Sequence, residues 1–561
     1  MMGTFGRAVA GGGNWLYFSD GSVSPVTDGR ALQTPEMVID DQGTAGIRID
    51  YTFTGGVINT RDVEGETYTT VVLDHFGHMA EVGKPAVPQR VYTVAVPPGT
   101  RAEVELLDYD TEIAGGYRIH PALEPATDTV GGSEPEFAIN QLFYARNVTY
   151  PTEPVTIIDT RDLRGTQLAL VRICPVQYNP ALDELTLYSR LSFRINFTPR
   201  LFSFDAVPST QSPLLPNIII NSSAVNAPQA RVMAGEDVFS SLLIVTNSEF
   251  DTAAEALAEW KRQMGYTVFL ESRSSWTAAQ VKSTIHGYTN LDFFVIVGDH
   301  DDVPSELVGG HVTDLYYACT GGMGDFVPDM GYGRISVSSA QEAQTVVDKI
   351  IGYERTPVSD PDFYTSGMTA AYFQHAGSGY AQRRFAQTSW EIRQYLTGQH
   401  GYDIDRIFYT ESYVNPLYWN NGKYSSGEPI PDYLRRPNYS WDGNAAQISA
   451  GINAGRFMVF HRDHGDLTLW GDPYYTTSHI SQLTNGNKLP VVFSINCLTG
   501  KFDQNSFSEV FLRHTNGGAV GVIGATEVSY SGHNDGLAEG FVDAIWPDPG
   551  LVPLFPHNTS P

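Results

Sequence analysis

Cysteine is scarce in this chain, with three in 561 residues, at positions 174, 319 and 497. They are far apart and form no CxxC pair, so neither a zinc cluster nor a disulfide framework is indicated. Cys174 and Cys319 read as buried structural thiols. Basic charge is also short: 35 Lys and Arg stand against 63 Asp and Glu, a net charge of −28. Such a chain has no basic surface with which to neutralise phosphates, which argues against a nucleic-acid partner. No stretch reaches the about 18 apolar residues of a membrane span. The start, MMGTFGRAVAGGGNW, has no apolar core of the kind a secretory signal needs.

What is present points to a large globular protein. Hydrophobic residues make up 42% and aromatics 12%, with 54 Gly and 33 Pro. That length exceeds one hydrophobic core and implies several domains. Residues 1–34 read as a loose lead-in. From 35 to 205, alternating runs such as TYTTVVLDHF (67–76), QRVYTVAVP (89–97) and RLSFRINFTP (190–199) lie between turn formers, as in an antiparallel β-rich domain. Residues 206–237 are rich in Pro, Ser, Asn and Ala and read as a linker, with Arg231 an exposed place for a protease to cut. From 238 the rhythm changes. SSLLIVTN, TAAEALAEWKRQMG, YTVFLES, WTAAQVKSTIHGY and LDFFVIVGD alternate strand and helix, and the strands are apolar on both faces. This predicts a parallel sheet covered by helices. The pattern divides into 238–360 and 361–561, with a long surface excursion expected over 411–444.

Catalytic groups of open α/β sheets gather at the carboxyl ends of strands. Two predicted strands deliver chemistry there. FMVF runs into HRDHGD, with His461, Asp463, His464, Gly465 and Asp466, and PVVFSIN runs into Cys497. A thiol is a few per cent ionised near neutrality, and an imidazole can take its proton and later protonate a leaving amine. His464 and Cys497 suit those roles. Backbone N–H groups of Gly465 and Cys497 suit an oxyanion hole. The same segment also admits a metal reading through His461, Asp463 and His464, though no further ligand is evident. Asp299, Asp301 and Asp302 crowd another strand end, where a structural calcium would find oxygen ligands.

The segment from FMVFHRDHGDLTLWGDP through KLPVVFSINCLTGKFDQNSFSEVFLR resembles the gingipain family of cysteine peptidases, within the clan that includes caspases and legumain. DFFVIVGDHDDVP (292–304), GYGRISVSS (331–339) and IIGYERTP (350–357) resemble the family's first subdomain, and EVGKPAVPQRVYTVAVPPG (81–99) resembles its propeptide. The resemblance implies a bacterial, secreted or cell-surface zymogen. It implies a caspase-like, mainly parallel sheet in two subdomains, preceded by a β-rich pro-domain that inhibits the enzyme intramolecularly. It implies Cys497 and His464 as catalytic residues, protein or peptide substrates, and no cofactor required for catalysis. It also implies further β structure after the catalytic domain, before which this chain is expected to stop. Three departures stand out. Asp463 replaces the family's Gly before the catalytic His, and could modulate or orient it. The family's Arg-cleaving members place a His-orienting Glu near Phe373 or Gln374, where Gln374 or His375 could substitute. They place an Arg-reading Asp near Phe385, whose neighbours here are Arg383 and Arg384. Arg or Lys specificity is therefore not expected to carry over, and the departures at Asp463 and at the His-orienting Glu leave as the alternative a catalytically inactive, peptidase-like binding or surface module.

Overall fold

The computed structural model describes residues 8–9, 14–26, 30–31, 33–132, 135–200, 215–221, 240–289, 291–321, 324–419, 429–546 and 550–552. Most of the linker, including Arg231, lies outside the described residues. Among the described residues, the paired strands of the N-terminal part are all antiparallel, and two isolated bridges, Thr69 to Ile119 and Val82 to Ala122, are parallel. Its longest pairing joins Thr100–Gly115 to Glu184–Pro199, with register shifts between Leu106 and Asp108 and between Asp110 and Thr111. Pro88–Val96 pairs with Thr166–Ile173 in a neighbouring sheet. Alternate residues of these strands, among them Tyr92, Val94, Val171, Ile173, Leu191, Phe193 and Ile195, share one core. The period-two apolar pattern makes that core, because successive side chains of a strand face opposite sides.

Two parallel sheets follow. The first contains β1 (Ser241–Asn247), β2 (Thr267–Arg273), β3 (Phe293–Val297) and β4 (Gly331–Ile335) in the order β2-β1-β3-β4. Leu242 and Ile244 pack against helices α1 (Asp251–Gln263) and α3 (Ala340–Arg355). Leu243 and Val245 face α2 (Ala278–His286) on the other side. A sheet with helices on both faces needs strands apolar on both faces. The capping box of Thr277 and Gln280 sets the start of α2 by satisfying N–H groups that the first turn leaves open.

The second sheet contains β5 (Ser366–Tyr372), β6 (Asp403–Tyr409), β7 (Met458–Arg462), β8 (Val491–Ile495) and β9 (Gly521–Gly524) in the order β6-β5-β7-β8-β9, again all parallel. Met458, Phe460, Phe493 and Ile495 pack against α4 (Phe385–His400) and α7 (His533–Ile545). Val459 and Val492 face α5 (Ala445–Ala454) and α6 (Phe507–Arg513). Helix α6 also joins the two sheets: Glu509 accepts from Ser336 at 2.6 Å, and the Lys349 ammonium of α3 donates to the carbonyl of Leu512 at 2.8 Å.

The stretch 411–444 departs from the expected surface excursion. Its Val414, Trp419, Ile430, Leu434 and Trp441 are buried together with Phe373 and Phe408. Its large aromatic groups have enough apolar area to build a satellite core, which ordinary Tyr-, Asn- and Pro-rich loop texture conceals.

Candidate active site

Strands β5, β7, β8 and β9 end side by side, and each hands a group to one cleft. After β5 comes Gln374, after β7 His464 and Gly465, after β8 Cys497, and after β9 the loop 525–532. The register of β7 on β8, His461 opposite Ser494 and Arg462 opposite Ile495, places the His and Cys segments next to each other.

His464 is 8% exposed. Its Nε2 lies 2.8 Å from Gln374 Oε1. An amide oxygen can only accept, so this contact selects the Nε2–H tautomer and leaves the Nδ1 lone pair for proton transfer. Nδ1 has no hydrogen-bond partner of full geometry, although the carbonyl of Asp128 lies near enough to favour its protonation. Burial is the larger effect and holds the imidazole pKa below the ordinary histidine value, opposed by the Asp128 charge and assisted by Arg383 and Arg462. The Phe385 ring meets the imidazole edge-on, with centroids 5.1 Å apart. His375 lies away from His464, against Tyr413.

Asp463 points away from the imidazole. Its carboxylate accepts the Asp472 N–H at 2.5 Å and closes the loop between β7 and Trp470. Burial drives its pKa well up. His461 stacks on Trp470 at 4.2 Å, with Nδ1 2.8 Å from the Asn496 amide nitrogen. Among the described residues no group of three or more His, Cys, Asp or Glu is placed to hold a metal ion. At the other acidic strand end, Asp299 accepts from the N–H groups of Asp301 and Asp302, and the carbonyls of Gly298, Asp299 and Val303 receive the Arg334 guanidinium.

Cys497 is fully buried, and what buries it comes from far back in the chain. Residues 126–132 thread between Gly465 and the loop after β9. Thr127 bridges Tyr530 and Thr129 bridges Gly465. The Asp128 N–H donates to the Ser529 carbonyl at 3.0 Å, and the Ser531 N–H to the Ala126 carbonyl at 2.8 Å. On the other side, the Gly465 N–H donates to the Asp128 carbonyl at 2.9 Å. The next residue, Thr129, places its hydroxyl 3.2 Å from the Cys497 sulfur. The Ser529 N–H is 3.1 Å from the same sulfur. The peptide bond between Asp128 and Thr129 thus lies over the thiol with its carbonyl on a fixed donor. Gly465 is required there, since an added Cβ would sit 2.5 Å from Asn496 Oδ1 and 2.7 Å from the Cys497 carbonyl.

The Asp128 side chain, fully buried, enters a pocket beside the thiol. Its carboxylate meets Arg462 Nη1 at 2.6 Å and Asn534 Nδ2 at 2.6 Å, and accepts from the Ser531 hydroxyl. Asp535 holds Arg462 from behind, with Nε 2.8 Å from its carboxylate, and Phe385 lies 4.5 Å beneath the guanidinium. None of Asp128, Thr129, Arg462, Ser531 or Asn534 was singled out by the sequence reading. Arg462 did leave a trace: it is a charged residue closing an otherwise apolar buried strand, and a buried guanidinium requires a buried partner. The segment ATDTVGG has no such mark.

Residues 239–555 match the family model of peptidase family C25, and residues 38–206 match Propeptide_C25. Lys-gingipain W83 of Porphyromonas gingivalis is 25% identical over 503 residues, covering 84% of this chain and 26% of its own length. Gingipain R1 of the same organism is 22% identical over 406 residues, covering 68% and 37%. The chain therefore spans well under two thirds of these relatives. Among solved structures, the Arg specific cysteine proteinase gingipain R shares 22% identity at a TM-score of 0.46, over 56% of this chain and 71% of that one. The complex of Porphyromonas gingivalis RgpB pro- and mature domains shares 23% identity at a TM-score of 0.44, over 54% and 67%.

Proposed function

The chain belongs to peptidase family C25, and from that membership and the cleft we propose a cysteine endopeptidase held latent by its own N-terminal domain. Residues 35–205 are the pro-domain, and part of the lead-in 1–34, expected to be loose, joins it: strand Asn14–Tyr17 pairs with Gly55–Val63, and Leu16 and Phe18 enter its core because their apolar side chains alternate on one face. Residues 206–237 are the linker in which the activating cut falls, and 238–360 and 361–561 are the two peptidase subdomains. Cys497 is the nucleophile and His464 the acid/base. The observation that carries this is the extended segment 126–129, laid over Cys497 with the Asp128 carbonyl on the Gly465 N–H.

In the reaction, His464 Nδ1 takes the proton of the Cys497 thiol. The thiolate attacks the carbonyl carbon of a substrate peptide bond, and the oxygen takes up negative charge facing the Gly465 N–H, a fixed donor where charge develops. The C–N bond then breaks. Its electron pair stays on the amine, which receives the proton from His464, and a thioester remains on Cys497. Water adds to the thioester carbonyl while giving a proton to His464. The C–S bond breaks, and the thiol and a peptide carboxylic acid are released. Gln374, accepting from Nε2–H, keeps the imidazole in the tautomer this sequence needs. No cofactor enters any step. Substrates are proteins or peptides, and the site of action is the cell surface or the exterior.

The test is mass spectrometry of the full chain before and after limited nicking within 206–237, each with a mixed set of thiol-directed peptidyl ketones. An adduct on Cys497 that forms only after nicking is expected. A chain that stays folded, with Cys497 reduced and unmodified in both states, would overturn the reading.

A further inference from the structure

The pocket beside Cys497 contains donors only for its present guest. Arg462 and Asn534 are 2% and 5% exposed, and with the Ser531 hydroxyl they converge on one carboxylate. Arg462 cannot retreat, because Asp535 fixes its Nε at 2.8 Å and Thr388 in turn donates to Asp535 at 2.9 Å. Its Nη2 has no hydrogen-bond partner and is buried. Emptied of Asp128, this pocket leaves the Arg462 Nη1 and Nη2 edge without a carboxylate, while Asn534 keeps its bond to the Ser529 hydroxyl at 2.7 Å, a state that favours an acidic guest.

The guest's backbone is fixed as well. Its N–H is on Ser529, its carbonyl on Gly465, and the bond after it lies over the sulfur. Those are the contacts a substrate residue preceding the cut would make. Resting on the peptidase reading above, we propose that this enzyme cleaves after aspartate, with Arg462, Asn534 and Ser531 as the residues that select it. Residue 128 of the pro-domain occupies the pocket as a copy of the substrate side chain. A substrate Lys or Arg would bring a second buried cation against Arg462, where the neighbouring carboxylate, Asp535, is already held by Arg462 and Thr388. The wall under Arg462 is the apolar ring of Phe385, which gives a cation no counter-charge. Glutamate is one methylene too long for a pocket whose far wall is braced. Such an extra methylene costs about 10- to 200-fold in discrimination. Asparagine keeps the shape but exchanges an ion pair for a neutral contact.

The experiment uses the full chain nicked within 206–237 and a series of peptidyl acyloxymethyl ketones that differ only in the residue next to the warhead: Asp, Glu, Asn, Lys or Arg. The rate of adduct formation on Cys497 is read by mass spectrometry, with iodoacetamide as a probe that makes no use of the pocket. We expect the Asp probe to react at least about tenfold faster than Glu and at least about a hundredfold faster than Lys or Arg. Equal rates across the series, or faster reaction with Lys or Arg, would overturn aspartate selection while leaving the peptidase standing. Reaction with iodoacetamide but with no peptidyl probe would remove both readings. Asn534→Asp adds a carboxylate where Asp128 now receives an amide. It is expected to abolish the Asp preference, read as the ratio of the Asp-probe to the Asn-probe rate on the same sample, with circular dichroism showing that the variant is folded. Retention of the full Asp preference in that variant would also overturn the proposal.

Discussion

Gln374 stands near the position that the sequence resemblance gives to a carboxylate. Its Oε1 touches His464 Nε2 at 2.8 Å, so Gln374→Ala should free the ring to rotate and change tautomer. We expect kcat to fall about 10- to 100-fold with KM little changed, measured on the nicked enzyme. Gln374→Glu should restore turnover but raise the His464 pKa, because an anion beside the ring favours the imidazolium. The acid limb of the rate profile should then move to higher pH. His461, two residues before Asp463, offers a separate pH test. Burial pushes its pKa down to about 3, against about 6.5 for a free histidine. The unfolded chain therefore binds the extra proton first, and stability is lost as pH falls from about 6.5 towards 3, with no change from this group above that window. Between pH 6.5 and 5 the loss from His461 is about 2 kcal/mol. Urea unfolding of His461→Asn should show an acid slope shallower by that amount.

At the scale of elements, the turn at Gly465 and the loop carrying Arg164 matter most. Gly465→Ala drives a Cβ into Asn496 and the Cys497 carbonyl, which displaces the N–H now on the Asp128 carbonyl, the donor that the proposed mechanism sets against the reacting oxygen. Loss of one such donor costs about 100- to 1,000-fold in kcat, and that is the expected fall in the nicked enzyme, with its melting temperature as the control. Arg164 extends from the pro-domain hairpin onto the first parallel sheet. It donates to Asp292 at 3.0 Å and to the Leu291 carbonyl at 2.9 Å, while its own N–H donates to Asp329 at 2.6 Å. Each contact to a charged partner contributes about 1.5–3 kcal/mol. Arg164→Ala should therefore let the intact chain open more often. The measurement is iodoacetamide labelling of Cys497 before nicking, expected to accelerate by at least about tenfold.

Across the whole molecule, the N-terminal domain meets the parallel sheets at two distant places. Arg164 holds one end of the pro-domain on the first sheet, and residues 126–132 run through the cleft of the second. The two sheets are themselves tied through Ser336, Glu509 and Lys349. In the zymogen proposed above, both attachments hold the pro-domain on the peptidase, and loss of either is expected to expose Cys497. No helix among the described residues is long and apolar enough to cross a membrane.

Much of this was legible in the chain alone. LDFFVIVGD had to be a doubly covered strand, since only a strand with helices on both faces buries an unbroken apolar run. The runs FMVF and PVVFS had to end in His464 and Cys497 because strand length and turn residues fix where each stops. The propeptide resemblance marked residues 81–99. The hidden part lies in pairings between remote segments. Asp128 and Arg462 are 334 residues apart, and nothing in ATDTVGG has a period that names its partner. The direction taken by Asp463, away from His464 and onto Asp472, depends on the turn through Trp470. Sequence periodicity determines which face of an element is apolar. Which loop fills a polar pocket is decided by the packed fold, where a buried guanidinium must find its carboxylate wherever in the chain it lies.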